Sequence, residues 1–206
     1  MAKRPIDGSR TDRRTGGGFL KQPALAAGPF LAFVLLTLGA LLGARLAPLS
    51  AVGGAFELVS HEGRSVSEKD FMGHPILVFF GYTHCEDVCP LTLFKISEVM
   101  RALGPDAKIR AIFVTVDPER DTTEVLKNYL ANFDSRIVGL SGDLAAVDRM
   151  LRSYHIYRRK IDGKGDDYSV DHTTVVYLMD KDGRFVRTFD VTRSPVEAAS
   201  DLRRYL

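Results

Sequence analysis

The sequence predicts an α/β domain, a central mixed sheet flanked by helices, carried behind a single N-terminal transmembrane helix. Three observations predict it. Two apolar runs, PILVFFGY at 75–82 and KIRAIFVTV at 108–116, suit strands covered on both faces. Each is followed by an amphipathic segment of helical period. A stretch of 21 residues at 24–44 carries no charge at all.

That uncharged stretch, ALAAGPFLAFVLLTLGALLGA, would span about 31 Å as a helix, matching a hydrocarbon core of about 30 Å. Gly28, Pro29 and Gly39 weaken a soluble helix but are tolerated in a membrane. Residues 1–22 form a basic tail without apolar periodicity, read as disordered, in which Lys3, Arg4, Arg10, Arg13, Arg14 and Lys21 face only Asp7 and Asp12. The positive tail ahead of the span places the N-terminus in the cytoplasm and everything after Arg45 on the exported side. A cleaved signal peptide would have a shorter apolar core, of about 7–15 residues, so an uncleaved signal anchor is the expectation. In a bacterial cell this is a single-pass inner-membrane protein with a periplasmic domain. The formal net charge is only +2, and the tail holds much of the basic excess, which excludes a broad phosphate-binding face and a nucleic-acid partner. Residues 45–55 (RLAPLSAVGGA) read as a small-residue linker that reaches at most about 40 Å, keeping the domain at 56–206 near the membrane.

From residue 56 the elements alternate. Residues 56–60 read as a short strand turned by His61-Glu62-Gly63, and 75–82 as the central strand. Residues 90–103 (PLTLFKISEVMRAL) make an amphipathic helix with Pro in its first turn, ended by Gly104-Pro105. A strand at 108–116, a helix at 122–133, a strand at 136–140 and a helix at 143–154 with Asp143 as N-cap follow. Strands at 173–179 and 184–190 flank the turn DKDG, and 194–206 closes with a capped helix. This order, βαβ, βα, β-hairpin, helix, is that of a thioredoxin-like domain. The polar, Gly-containing segment 155–171 is its one long insertion, and long loops in compact domains are often functional.

Both cysteines, Cys85 and Cys89, lie in GYTHCEDVCP at 81–90, between the central strand and its helix. Open α/β sheets expose reactive groups at that strand end. The free N–H groups and partial positive charge of the helix N-terminus point at Cys89, which is expected to lower its thiol pKa. Three readings compete. A structural disulfide is permitted in an exported chain, but a bridge between residues four apart closes too small a loop to constrain much. A thiol–disulfide enzyme uses this machinery, although its common spacing has two intervening residues where this chain has three. A metal site needs a third donor from elsewhere, and His172, ahead of the strand at 173 and after the long insertion, is the best candidate. A Cys2His set is soft and small and suits Cu(I), while zinc would take the same donors but normally a fourth as well. His61 and His74 lie in turns, His155 opens the insertion, and His84 is expected to point away from the metal. A peroxidase-like enzyme would need a cation beside its cysteine, where Glu86 and Asp87 stand instead.

The stretches GYTHCEDVCP at 81–90, VTVDPERDT at 114–122 and YSVDHTTVVY at 168–177, in that order, resemble the three signatures of the Sco/SenC family. The resemblance covers 56–206, and the N-terminal anchor fits it too. It implies that Cys85, Cys89 and His172 are copper ligands. It also implies that the domain collects copper, with an upstream copper donor protein as a partner, and delivers it to the binuclear copper site of a cytochrome c oxidase subunit. Members are also described as reducing that target's disulfide, so a metallochaperone role and a thiol–disulfide reductase role, or one in redox defence, stand side by side. One departure is Glu86, where the family usually has Pro. Asp117 reads as a turn-forming residue ahead of Pro118, and Asp171 should point away from His172, as strand neighbours do.

Overall fold

A computed structural model describes residues 52–164 and 167–206. The tail at 1–22, the membrane span at 24–44 and most of the linker lie outside the described residues. Among the described residues no helix is long and apolar enough to cross a membrane.

The first strand, β1 (Glu57–Ser60), turns back into β2 (Ser65–Ser67), and a 3-10 turn (Glu68–Phe71) leads into the central strand β3 (Ile76–Gly81). Helix α1 (Val88–Leu103) follows, then β4 (Arg110–Thr115), α2 (Thr123–Leu130), β5 (Ile137–Ser141) and α3 (Leu144–Ser153). Strands β6 (Arg158–Lys164) and β7 (Asp167–His172) pair with each other as a separate two-stranded ribbon. The chain closes with β8 (Val176–Met179), β9 (Phe185–Thr188) and α4 (Pro195–Leu202). The main sheet runs β2-β1-β5-β4-β3-β8-β9, with β3, β4 and β5 parallel and β1 and β8 antiparallel to their neighbours.

Strand β3 alternates between two cores, as a strand covered on both faces must. Val78 and Phe80 join Ile112, Val114, Met150, Tyr154 and Tyr177 on the face that α3 covers. Leu77 and Phe79 join Leu93, Ile96, Phe113, Leu126, Leu178 and Leu202 on the face covered by α1, α2 and α4. The predicted caps at Asp143 and on the last helix are present, and Thr122 adds a third. Thr122 accepts from Val125 N–H, Asp143 from Ala146 N–H and Ser194 from Glu197 N–H, each worth about 1 kcal/mol to its helix.

Three sequence expectations need correction. The insertion at 155–171 is largely a β-ribbon, because its residues alternate across a paired ladder from Arg158↔His172 to Lys164↔Asp167. His172 therefore ends β7 rather than opening the next strand, which begins only at Val176. The far end of the linker is strapped down: Val52 packs against the core and Gly53 N–H donates to the Ser153 carbonyl at 2.9 Å.

Candidate metal centre

The cysteine loop leaves the carboxyl end of β3 and enters α1. Cys89 is the second residue of α1 and fully buried, among Leu93, Phe113 and their neighbours. It fits there because residue 81 is Gly: a Cβ at that position would stand 2.7 Å from Cys89 Sγ and 2.7 Å from Phe113 Cε2. Cys85 is half-buried, and both thiols are free. Asp87, the N-cap residue, makes no side-chain cap. Instead the Cys89 N–H donates to Cys85 Sγ at 3.4 Å, so the helix N-terminus serves Cys85 and not Cys89. Burial, with the Cys85 sulfur beside it, pushes the Cys89 thiol up, opposite to the lowering expected from the helix dipole alone.

His172 arrives from the ribbon. Its Nε2 stands 3.9 Å from Cys89 Sγ, and its ring meets Tyr82 edge-on with centroids 5.7 Å apart. His172 Nδ1 lies 3.0 Å from the Thr173 carbonyl oxygen, which can only accept, so the proton sits on Nδ1 and the Nε2 lone pair faces the sulfur. Burial holds the imidazole below its ordinary pKa, keeping it neutral. A first-row metal held about 2.3 Å from sulfur and about 2.0 Å from nitrogen at a trigonal angle would separate those donors by about 3.7 Å. The Cys89–His172 pair therefore fits a soft metal ion. Among the described residues no three Cys, His, Asp or Glu side chains form a closed cluster, so a third bond requires Cys85 Sγ to join the pair.

The other histidines serve elsewhere. His61 Nδ1 accepts from Gly139 N–H at 3.0 Å, and His84 is exposed with Nδ1 3.2 Å from Thr83 Oγ1. Asp171 is exposed and pairs with Arg159 at 3.5 Å. A cleft of about 490 Å³ opens beside Cys85, walled by Tyr82, His84 and Val88 on one side and by Ile161 and Tyr168 of the ribbon on the other.

Sequence reasoning missed Asp121. It is fully buried, and its carboxylate accepts from Thr83 N–H, from Thr83 Oγ1–H at 2.6 Å and from Thr115 Oγ1–H at 2.6 Å. Burial raises its pKa, and the Thr115 and Thr83 hydrogen bonds offset part of that rise. It anchors the loop two residues before Cys85. In the sequence it is only the third acid of DPERD, a run that reads as turn chemistry. Asp117 does more than turn the chain. It is buried, its Oδ2 accepts from Arg120 Nε at 2.5 Å, and its Oδ1 accepts from the Tyr168 hydroxyl at 2.7 Å.

A parallel-cored sheet with two thiols at a strand-to-helix junction and a histidine turned onto them defines a thioredoxin-like domain with a soft-metal or thiol site. The sequence signature of the SCO1/SenC family matches residues 45–206, and the chain belongs to that family. It is 36% identical to the human mitochondrial protein SCO1 homolog over 161 residues, 75% of this chain and 53% of that protein. The chain thus spans about half the length of the curated relatives it matches. Among solved structures it is similar to Bradyrhizobium japonicum ScoI with copper bound, at 55% identity and a TM-score of 0.74, covering 76% of this chain and all of that one. Yeast Sco1 with copper bound is 31% identical with a TM-score of 0.69, covering 76% of this chain and 88% of that one.

Proposed function

We propose that this chain is a membrane-anchored copper chaperone that holds one Cu(I) on Cys85, Cys89 and His172. It takes the ion from an upstream donor and passes it to the binuclear copper site of a cytochrome c oxidase subunit. The observation that carries the reading is the bare Nε2 of His172 turned toward Cys89 Sγ at 3.9 Å, with Nδ1 occupied by a backbone carbonyl. Two thiolates and an imidazole suit Cu(I), and relatives with copper bound share the fold and much of the sequence. Residues 24–44 span the membrane, and the domain works on its exported side.

A second reading, reduction of the recipient's disulfide, draws on Cys85. That thiol is half-buried and borders the cleft, while Cys89 lies beneath it as a resolving partner. With Cys89 fully buried, access makes Cys85 the attacking thiol of such a reaction.

Purified full-length protein, reduced and anaerobic, is expected to take up one equivalent of Cu(I) and to pass it to a reduced copper-site domain of the oxidase. Rapid reduction of that domain's disulfide by the metal-free protein, without copper uptake, would make the reductase role primary.

A further inference from the structure

The copper reading uses three side chains, and two of them sit on the rigid junction of β3 and α1. The third sits on a ribbon outside the main sheet's ladder. Something else must fix its distance from the cysteines.

We infer that Tyr168 is a positioning residue for His172, gripped by Asp117, Arg120 and Lys160, so that the loop 116–121 sets the histidine-to-cysteine spacing without contributing a ligand. This rests on the reading of His172 as a copper ligand. Tyr168 lies on β7, four residues before His172. Arg120 Cζ stands 3.6 Å from its ring centroid and Lys160 Nζ stands 3.7 Å from the same point. The ring is therefore held by two cation–π contacts, one from the body loop and one from the ribbon itself. The phenol donates to Asp117 Oδ1 at 2.7 Å, and Lys160 is itself held by Glu119 at 2.9 Å. Arg158, paired with His172 in the ribbon register, donates to the Val116 carbonyl at 3.0 Å. Most of these contacts on the body side come from residues 116–120; Arg158 also pairs with Asp148 of α3 at 3.1 Å.

The same loop ends at Asp121, whose carboxylate holds Thr83 of the cysteine loop. One six-residue segment therefore grips both halves of the site. Two cation–π contacts resist sliding of the ring, and the hydroxyl bond to Asp117 fixes its tip. Strand β7 passes that constraint along a rigid pleat to His172, and Val170 between them donates to the Tyr82 hydroxyl at 3.3 Å. Groups that orient a metal ligand through others commonly change affinity by about 10–100-fold.

The test uses the full chain in detergent, Cu(I) as the probe, and hydrogen exchange on the metal-free protein. Tyr168→Leu should weaken Cu(I) binding about tenfold or more and raise exchange at the β7 amides, while β3 and β4 keep their protection. Tyr168→Phe keeps the ring against its cations and should recover most of both. Lys160→Met, at an exposed position that cannot unfold the domain, should shift both readouts in the same direction by less. Arg187→Met, in the distant ion cluster on Asp201, serves as the stability control. Wild-type affinity and β7 protection in both Tyr168→Leu and Lys160→Met would overturn the inference. So would an equal affinity loss in Arg187→Met at the same drop in Tm. Should Tyr168→Leu fail to fold, Lys160→Met decides. If His172→Ala keeps full copper affinity, the ligand reading fails on its own, and wild-type β7 exchange in both variants would still sink the clamp.

Discussion

The two halves of the candidate site are built in opposite ways. Cys89 is part of the core: it is fully buried, packs against Leu93 and Phe113, and occupies space that only Gly81 leaves open. His172 stands on a two-stranded ribbon that meets the body through side chains, among them Tyr82, Asp117 and Arg120. The cysteine half cannot move without disturbing β3, whereas the ribbon shares no backbone ladder with the main sheet and is placed by its side-chain contacts. The site is thus split between a half built into the core and a half held by side chains.

The comparison is broken most completely by chemistry on the fixed half. Thiolates are the proposed ligands, so oxidation to a Cys85–Cys89 disulfide should abolish Cu(I) uptake and reduction should restore it, as read by anaerobic metal analysis. Stoichiometric Cu(I) on the oxidised protein would rule the cysteines out. Next in size is Gly81→Ala, which drives a methyl against Cys89 Sγ and Phe113. It should cost about 1–3 kcal/mol in urea unfolding and weaken copper binding while leaving β7 exchange untouched. Unchanged stability there would mean that the fixed half is softer than its packing indicates.

Asp121 sharpens the comparison, because it sits under the cysteine loop and ends the segment that grips the ribbon. Thr83→Val removes one of its donors and should cost about 1–3 kcal/mol. Its pKa is raised by burial, so its stabilising contribution is fully present below the unfolded value of 3.8 and is lost as pH rises through the folded pKa. Relative to Asp121→Asn, the wild type should therefore gain stability as pH falls from about 7 toward about 4. A stability difference that stays flat over that range would show the carboxyl to be better solvated than its hydrogen bonds suggest. The smallest effect is expected from Glu86→Pro. Glu86 is exposed beside Cys85, so removing its negative charge should modestly speed alkylation by an anionic reagent at neutral pH, with copper stoichiometry still at one. An unchanged or slower rate would remove Glu86 from the electrostatics of the loop.

The cysteine half and His172 itself were legible in the sequence, and the ribbon that carries His172 was not, for physical reasons. The apolar run at 75–82, the helix period at 90–103 and the caps at Asp143 and Ser194 are local signals, and each reappears in the fold within a few residues. The ribbon at 158–172 alternates polar residues with few apolar ones, so it carries no strand pattern; its stability comes from Tyr168, Val170 and Arg158 reaching partners 42–88 residues away. Asp121 was invisible because its partners Thr83 and Thr115 converge only in three dimensions. The lowered pKa expected for Cys89 failed for the same kind of reason. A helix N-terminus can be read from sequence, but which sulfur faces it and which is buried cannot.

The most direct test of the central claim is a Cu(I) competition titration of the reduced full-length protein and its His172→Ala variant against a chromophoric chelator. A site closed across both halves predicts one equivalent bound by the wild type and an affinity lower by orders of magnitude in His172→Ala, with Tm nearly unchanged. Equal affinity in the two proteins would mean that the cysteines hold the ion alone and that the ribbon has no part in the metal centre.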